Sequence, residues 1–279
     1  MPSRRELLAG AVGVLGGAAV ASTIHIGPVA VPDIRAETWP HPRYGPQNTS
    51  ANPAVGVPRN PTLDWGTVEL PRAGTTSLVV GPDALYVGGN GLVSLDRTDG
   101  SVAWRADRPA ENLALAGGTL YAAPGLFPAD RYARDSIGPM AVDPATGSRQ
   151  WTATSGAGIY HLVVADGTVF VGFHGRFVAY DAGTGIRRWT VTEGWDAESF
   201  PMVHHGTLYG GLERLIRFES RSLLDVAAFS GPQKRWESDY FYEMDVPTAI
   251  NDRVIVGSKQ VDPTTNEPTV VAFDTDDGH

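Results

Sequence analysis

The sequence predicts an all-β fold, a β-propeller of about five four-stranded antiparallel blades. Two observations carry this. One strand-rich unit recurs along the chain, and Gly and Pro, at 33 and 21 of 279 residues, supply many turns and leave little room for long helices. The unit runs as a short apolar strand and tight turn, then a strand with an aromatic that ends in Gly. A third strand ends in Asp, and a turn closing on Gly leads to a strand bearing Trp.

The first copy is Leu78-Val79-Val80, Leu85-Tyr86-Val87-Gly88, Leu95-Asp96, Gly100 and Trp104. The second is Leu113-Ala114-Leu115, Leu120-Tyr121-Ala122, Val142-Asp143, Gly147 and Trp151. The third is Leu162-Val163-Val164, Val169-Phe170-Val171-Gly172, Tyr180-Asp181, Gly185 and Trp189. In these copies Asp lies four residues before Gly and Trp four after it. The fourth copy is degenerate: Pro201-Met202-Val203, Leu208-Tyr209-Gly210, Phe218-Glu219, then an irregular stretch to Gly231 and Trp236. The fifth reads Thr248-Ala249-Ile250, Val254-Ile255-Val256-Gly257, Phe273-Asp274 and Gly278.

Spacings of 35, 49, 39 and 46 between the aromatic strands (Tyr86, Tyr121, Phe170, Tyr209, Ile255) fit propeller blades. A lone sheet leaves both faces wet, so blades stack around an axis. The fifth copy lacks a Trp strand, while residues 62–70, around Trp65, form a Trp strand with no blade in front. Pairing the two closes the ring and removes an exposed edge. The rival expectation is an open fragment of a larger propeller.

Ahead of the repeat, residues 1–21 read as an export signal. Arg4 and Arg5 head an apolar run from Leu7 to Val20, and Ala19-Val20-Ala21 is a cleavage pattern. Ser3-Arg4-Arg5-Glu6-Leu7-Leu8 resembles a twin-arginine signal, which implies export outside the cytoplasmic membrane. The run is too short to span a bilayer, and no later segment approaches a span. Residues 22–61, which include His41-Pro42-Arg43-Tyr44-Gly45-Pro46-Gln47-Asn48, read as an extended leader over the domain surface or a flexible linker. The propeller then occupies 62–279.

Composition excludes several functions. A net charge of -9 argues against nucleic-acid binding. The absence of Cys excludes disulfides, thiolate metal sites and cysteine nucleophiles. His204 and His205 are adjacent, so in a strand they point to opposite faces and share a metal poorly. Phosphate-loop and hydrolase-elbow motifs are absent.

The stretches 85–104 and 178–189 resemble the pyrroloquinoline-quinone-like (PQQ-like) propeller repeat, a resemblance that extends over 62–279. It implies membership of the quinoprotein alcohol dehydrogenase-like superfamily, which holds both quinone-dependent dehydrogenases and noncatalytic partner-binding members. No cofactor is expected; PQQ with calcium is the alternative. The dehydrogenases carry a calcium site and often a cysteine pair, and no such set maps onto this chain. Trp65, Trp104, Trp151, Trp189 and Trp236, with Asp96, Asp143, Asp181 and Asp274, read as structural repeat residues.

Alternating strand direction puts the first-to-second and third-to-fourth turns on one face. The second-to-third loops and inter-blade links fall on the other. The long, varied segments (124–139, 258–268 and the links) all belong to the second face, which is where a scaffold fold carries function. The candidate recognition residues there are Tyr160, Trp195, Asp196, Glu198, Tyr240, Tyr242, Glu243 and Asp245. Aromatics ringed by acids suit a basic or polar partner. The expectation is an exported, noncatalytic scaffold for an extracytoplasmic protein or polar ligand. The alternative is a small quinone-dependent oxidoreductase acting on alcohols or sugars.

Overall fold

Each Asp-to-Gly turn builds the corner of a blade. A computed structural model describes residues 38–50, 52, 65, 77–125, 138–154, 158–173, 175–192, 200–211, 214–218, 232–238, 246–257 and 270–279. Among them are five antiparallel sheets, each with its strands in chain order. The first holds β1 (Ser77–Val80), β2 (Ala84–Gly88), β3 (Leu92–Asp96) and β4 (Val102–Ala106). The second holds β5 (Asn112–Ala116), β6 (Thr119–Ala123), β7 (Met140–Val142) and β8 (Arg149–Thr152). The third holds β9 (His161–Ala165), β10 (Thr168–Phe173), β11 (Arg176–Asp181) and β12 (Arg187–Thr192). The fourth holds β13 (Met202–His204), β14 (Thr207–Gly210), β15 (Ile216–Phe218) and β16 (Lys234–Glu237). The fifth shows three strands, β17 (Thr248–Ile250), β18 (Arg253–Gly257) and β19 (Val270–Asp274). Residues 62–64 and 66–70, expected to supply its fourth strand, lie outside the described residues.

The turn chemistry follows from the residue types. The Asp143 carboxylate accepts from the amides of Ala145 and Thr146 at 2.8 and 3.0 Å, and Gly147 N donates to Asp143 O at 2.9 Å. Asp96, Asp181 and Asp274 repeat the arrangement, and the closing glycines Gly100, Gly147, Gly185 and Gly278 hold φ of 72°, 71°, 70° and 78°. That left-handed conformation favours Gly. A bulge follows in each of the first four sheets, setting Trp104 opposite Ser94, Trp151 opposite Ala141, Trp189 opposite Ala179 and Trp236 opposite Arg217.

Each Trp then covers the next blade. A Cβ added at Gly147 would lie 2.7 Å from the Trp104 ring; the Gly185–Trp151 and Gly278–Trp236 pairs are alike. The indole N–H of Trp104 donates to Pro144 O, and that of Trp151 to Ala182 O, both at 2.9 Å. Trp65 makes the same contact with the first blade, stacking on Gly100 and donating to Arg97 O at 3.1 Å. Trp65 thus occupies the place of a preceding blade's Trp.

Apolar side chains fill the space between neighbours. Leu92 and Tyr86 meet Leu113 and Met140; Tyr121 meets Leu162 and Phe173. Phe177 meets Phe218, and Met202 and Tyr209 meet Val254 and Phe273. Each of the middle sheets buries both faces, so its central strands read as nearly continuous apolar runs.

Register corrects one alignment. Val80 pairs with Leu85, Leu115 with Leu120, Val164 with Val169, Val203 with Leu208 and Ala249 with Val254. The equivalent of Val80 in the fifth blade is therefore Ala249, not Ile250. The fifth innermost strand sits one residue earlier than side-chain similarity implies.

Candidate recognition face and the axial segment

The two faces separate as strand alternation requires. On one, first-to-second and third-to-fourth turns interlock: Arg97 N donates to Asp83 O, Ala182 N to Gly167 O and Thr275 N to Asp252 O. On the other, links bond to second-to-third loops. Ala110 N donates to Gly89 O at 2.8 Å, Gly125 N to the Glu111 carboxylate at 2.6 Å and Ser238 N to Leu215 O at 2.9 Å.

Of the recognition residues, Tyr160 is described. It is half-buried on a link, its ring 6.5 Å from that of Phe200 and edge-on to it. Trp195, Asp196, Glu198, Tyr240, Tyr242, Glu243 and Asp245 lie outside the described residues. His204 and His205 depart from expectation: their ring centroids are 4.0 Å apart. His205 has φ of 47° at a turn with Gly206, so the pair does not follow strand alternation. His204 Nε2 is 2.5 Å from Asn251 O. Among the described residues no three His, Asp or Glu side chains converge to hold a metal.

The larger surprise is the leader. Residues 38–50 are neither draped over the surface nor a linker; Thr38, His41, Tyr44 and Asn48 are all under a tenth exposed. The segment folds on itself. Tyr44 N donates to His41 O, Ser50 N to Arg43 O, and the Trp39 and Tyr44 rings meet edge-on at 5.1 Å. Tyr44, Asn48 and Ser50 adopt positive φ, which for these residues demands support from the surroundings.

That support comes from the innermost strand of every blade. Trp39 and Val80 exchange both backbone bonds at 2.8 Å. Leu115 N donates to Pro40 O at 2.7 Å, Val203 N to Pro46 O at 2.9 Å and Ala249 N to Gln47 O at 3.0 Å. Val164 N donates to His41 Nε2 at 3.3 Å. These five donors are the register-equivalent residues identified above. Five inner edges that all reach one short segment must surround it, so residues 38–48 lie on the axis.

Electrostatics on the axis favour neutral groups. Burial pushes His41 down to about 4, and a neutral ring is what lets Nε2 accept from Val164. His161, whose Nε2 is buried, is pushed down to about 4 by burial, then by the Arg43 charge and by repulsion from His41 where that ring is protonated. Sequence reasoning missed this site. The available signal was composition: Trp39, His41 and Tyr44 among prolines are too large and apolar for a solvated linker.

Comparison with known proteins places these features. A family model described as outer membrane protein assembly factor BamB matches residues 133–279. BamB from Moraxella catarrhalis is 21% identical, with a TM-score of 0.52 over 71% of this chain and 56% of that one. The quinohemoprotein alcohol dehydrogenase of Comamonas testosteroni is 15% identical, with a TM-score of 0.56 over 87% of this chain and 48% of that one. Enzyme ADHIIG of Pseudomonas putida HK5 is 14% identical, with a TM-score of 0.56 over 85% and 51%. The chain spans about half the length of these structures, and at such identities they share the fold alone. No curated protein sequence matches the chain. With more than half of its residues matched by that model, and its blades built from the Asp–Gly–Trp unit, the chain belongs to the PQQ-like repeat propeller family described as outer membrane protein assembly factor BamB.

Proposed function

We propose that this protein is an exported, noncatalytic scaffold that binds an extracytoplasmic protein or polar partner on the face carrying the links and second-to-third loops. The observation that carries this reading is the separation of the faces. On one side the described turns bond to one another, and apart from the β15–β16 connection of the fourth blade (219–233) the long, varied segments belong to the other side. Family membership supports a binding role, and the twin-arginine-like start supports export. Candidate contacts are Tyr160 and, by sequence, Trp195, Asp196, Glu198, Tyr240, Tyr242, Glu243 and Asp245.

The test is capture from the native exterior fraction by residues 22–279, beside a Trp195→Ala/Tyr242→Ala variant. A partner retained by the former and lost by a variant of unchanged melting temperature is the expected result. Equal capture by both overturns the assignment of the face. Stoichiometric quinone uptake with calcium, coupled to dye reduction by alcohols, overturns the noncatalytic reading.

A further inference from the structure

We infer that the ring of five inward backbone amides, at Val80, Leu115, Val164, Val203 and Ala249, is a peptide-binding site, and that residues 38–50 are its resident and exchangeable ligand. This site is separate from the recognition face and does not rest on it.

The chemistry of the ring defines what it takes. The five blades present N–H groups of matching register toward one axis, and each donor meets an acceptor there. Buried donors left without acceptors are costly, so the ligand must supply several carbonyls in a small space. It must also bring few donors of its own. The segment meets both demands: Pro40 and Pro46 are buried, accept through their carbonyls and carry no N–H to satisfy. Pro42 O accepts from the Trp39 indole at 3.3 Å, so a third proline serves the fold of the ligand itself. His41 adds a side-chain acceptor where no carbonyl reaches the third blade. At the first blade the exchange of bonds between Trp39 and Val80 is a short strand addition. Asn48 secures the other end, donating to Pro247 O at 3.2 Å while its carbonyl accepts from the Thr248 hydroxyl.

The segment also has the attributes of a ligand. Its internal bonds give it a shape of its own, and its termini are tied together, Asn52 Nδ2 donating to Thr38 O. The ligand class is thus a looped, proline-containing peptide with an aromatic pair. A tether holds it at millimolar effective concentration, so the intact chain screens the site from peptides in solution.

Hydrogen exchange on the intact mature chain is the first test. The amides of Val80, Leu115, Val164, Val203 and Ala249 are expected to exchange more slowly than unpaired amides, and His41→Ala to speed Val164 by roughly tenfold or more with little change within β10–β11. Fast exchange at the five positions in the unmodified chain overturns the inference. The second test places a specific protease site within residues 53–60 and adds a labelled synthetic peptide of residues 36–52. After cleavage one peptide is expected to bind per chain, with the intact chain binding none and a His41→Ala peptide binding roughly tenfold more weakly. A cleaved chain that unfolds but regains its cooperative melt with about 1 mM peptide also supports the site. A scrambled peptide that binds equally, a folded cleaved chain that takes up no peptide, or unfolding that peptide does not reverse, overturns it.

Discussion

At the rim, four turn glycines among the described residues repeat one contact: a tryptophan ring lies on Gly100, Gly147, Gly185 or Gly278, and in three of these its indole N–H donates to a turn carbonyl. At the axis there is no repetition in the ligating segment. One stretch, residues 39–48, meets five equivalent amides with carbonyls of Trp39, Pro40, Pro46 and Gln47 and with one imidazole. The rim therefore distributes its stability, and loss of one contact is confined to one boundary, as in other repeat folds. The axis concentrates it, and a change in one short segment is felt by all five blades.

Acid should expose the concentrated side first. His41 and His161 are neutral in the fold at about 4 and ordinarily titrate near 6.5. Between those values the unfolded chain takes up the protons, so stability falls as pH drops from 6.5 toward 4 and levels off below. Above 6.5 these groups contribute no pH dependence. The loss is ~3 kcal/mol for His41 alone, and the Arg43 charge near His161 acts in the same direction on that ring. Thermal melts from pH 7 to pH 4 test this, with His41→Gln expected to flatten the profile. An unchanged profile in that variant removes His41 as the cause.

At the rim, Trp104→Ala strips the cover from Gly147 and the bond to Pro144 O. The expected loss is about 2–4 kcal/mol, reduced from a fully buried tryptophan because the ring is half-exposed. Denaturant titration should register it, with faster hydrogen exchange confined to the boundary of the first two blades.

A pair of glycines sharpens the meaning of the Trp contact. Gly147 and Gly167 have similar φ, 71° and 66°, but an added Cβ meets Trp104 at 2.7 Å in the first and nothing within 4 Å in the second. Gly167→Ala is expected to cost about 1 kcal/mol from backbone strain alone. Gly147→Ala should cost about 1 kcal/mol more through crowding of the ring. Equal melting temperatures for the two variants would show that the ring gives way freely.

The smallest effect belongs to the ion pair at the corner of the third blade. Arg188 lies 2.7 Å from Asp181, both about one-third exposed. Burial works against ionisation of Asp181, but the bonds from Arg188 and Thr184 outweigh it and hold the carboxyl below its ordinary range. Arg188→Met should therefore raise that carboxyl, readable by NMR titration, at a cost of only about 0.5 kcal/mol.

The blade is written in residue types. Asp four residues before Gly, Gly four before Trp, and a Gly that must take positive φ are short-range requirements, and each leaves a side-chain signature. Face separation followed from strand alternation alone. The degenerate fourth copy was legible as well: β15 and β16 are joined through residues 219–233, where the other copies need a short turn. Most of the recognition residues rest on link composition alone and lie outside the described residues.

The axis, by contrast, arises only when the blades come together. Its donors, from Val80 to Ala249, are distant in sequence and carry Val, Leu or Ala side chains that play no part in the bond. Its acceptors are mostly carbonyls, which every residue has. A backbone hydrogen bond leaves no mark on residue type beyond the prolines that suit it. The same limit explains the shifted fifth copy, where side-chain similarity favoured Ile250 and the inward amide belongs to Ala249. Side-chain pattern specifies how each sheet folds, whereas convergence of five sheets on one buried segment exists only once they are assembled.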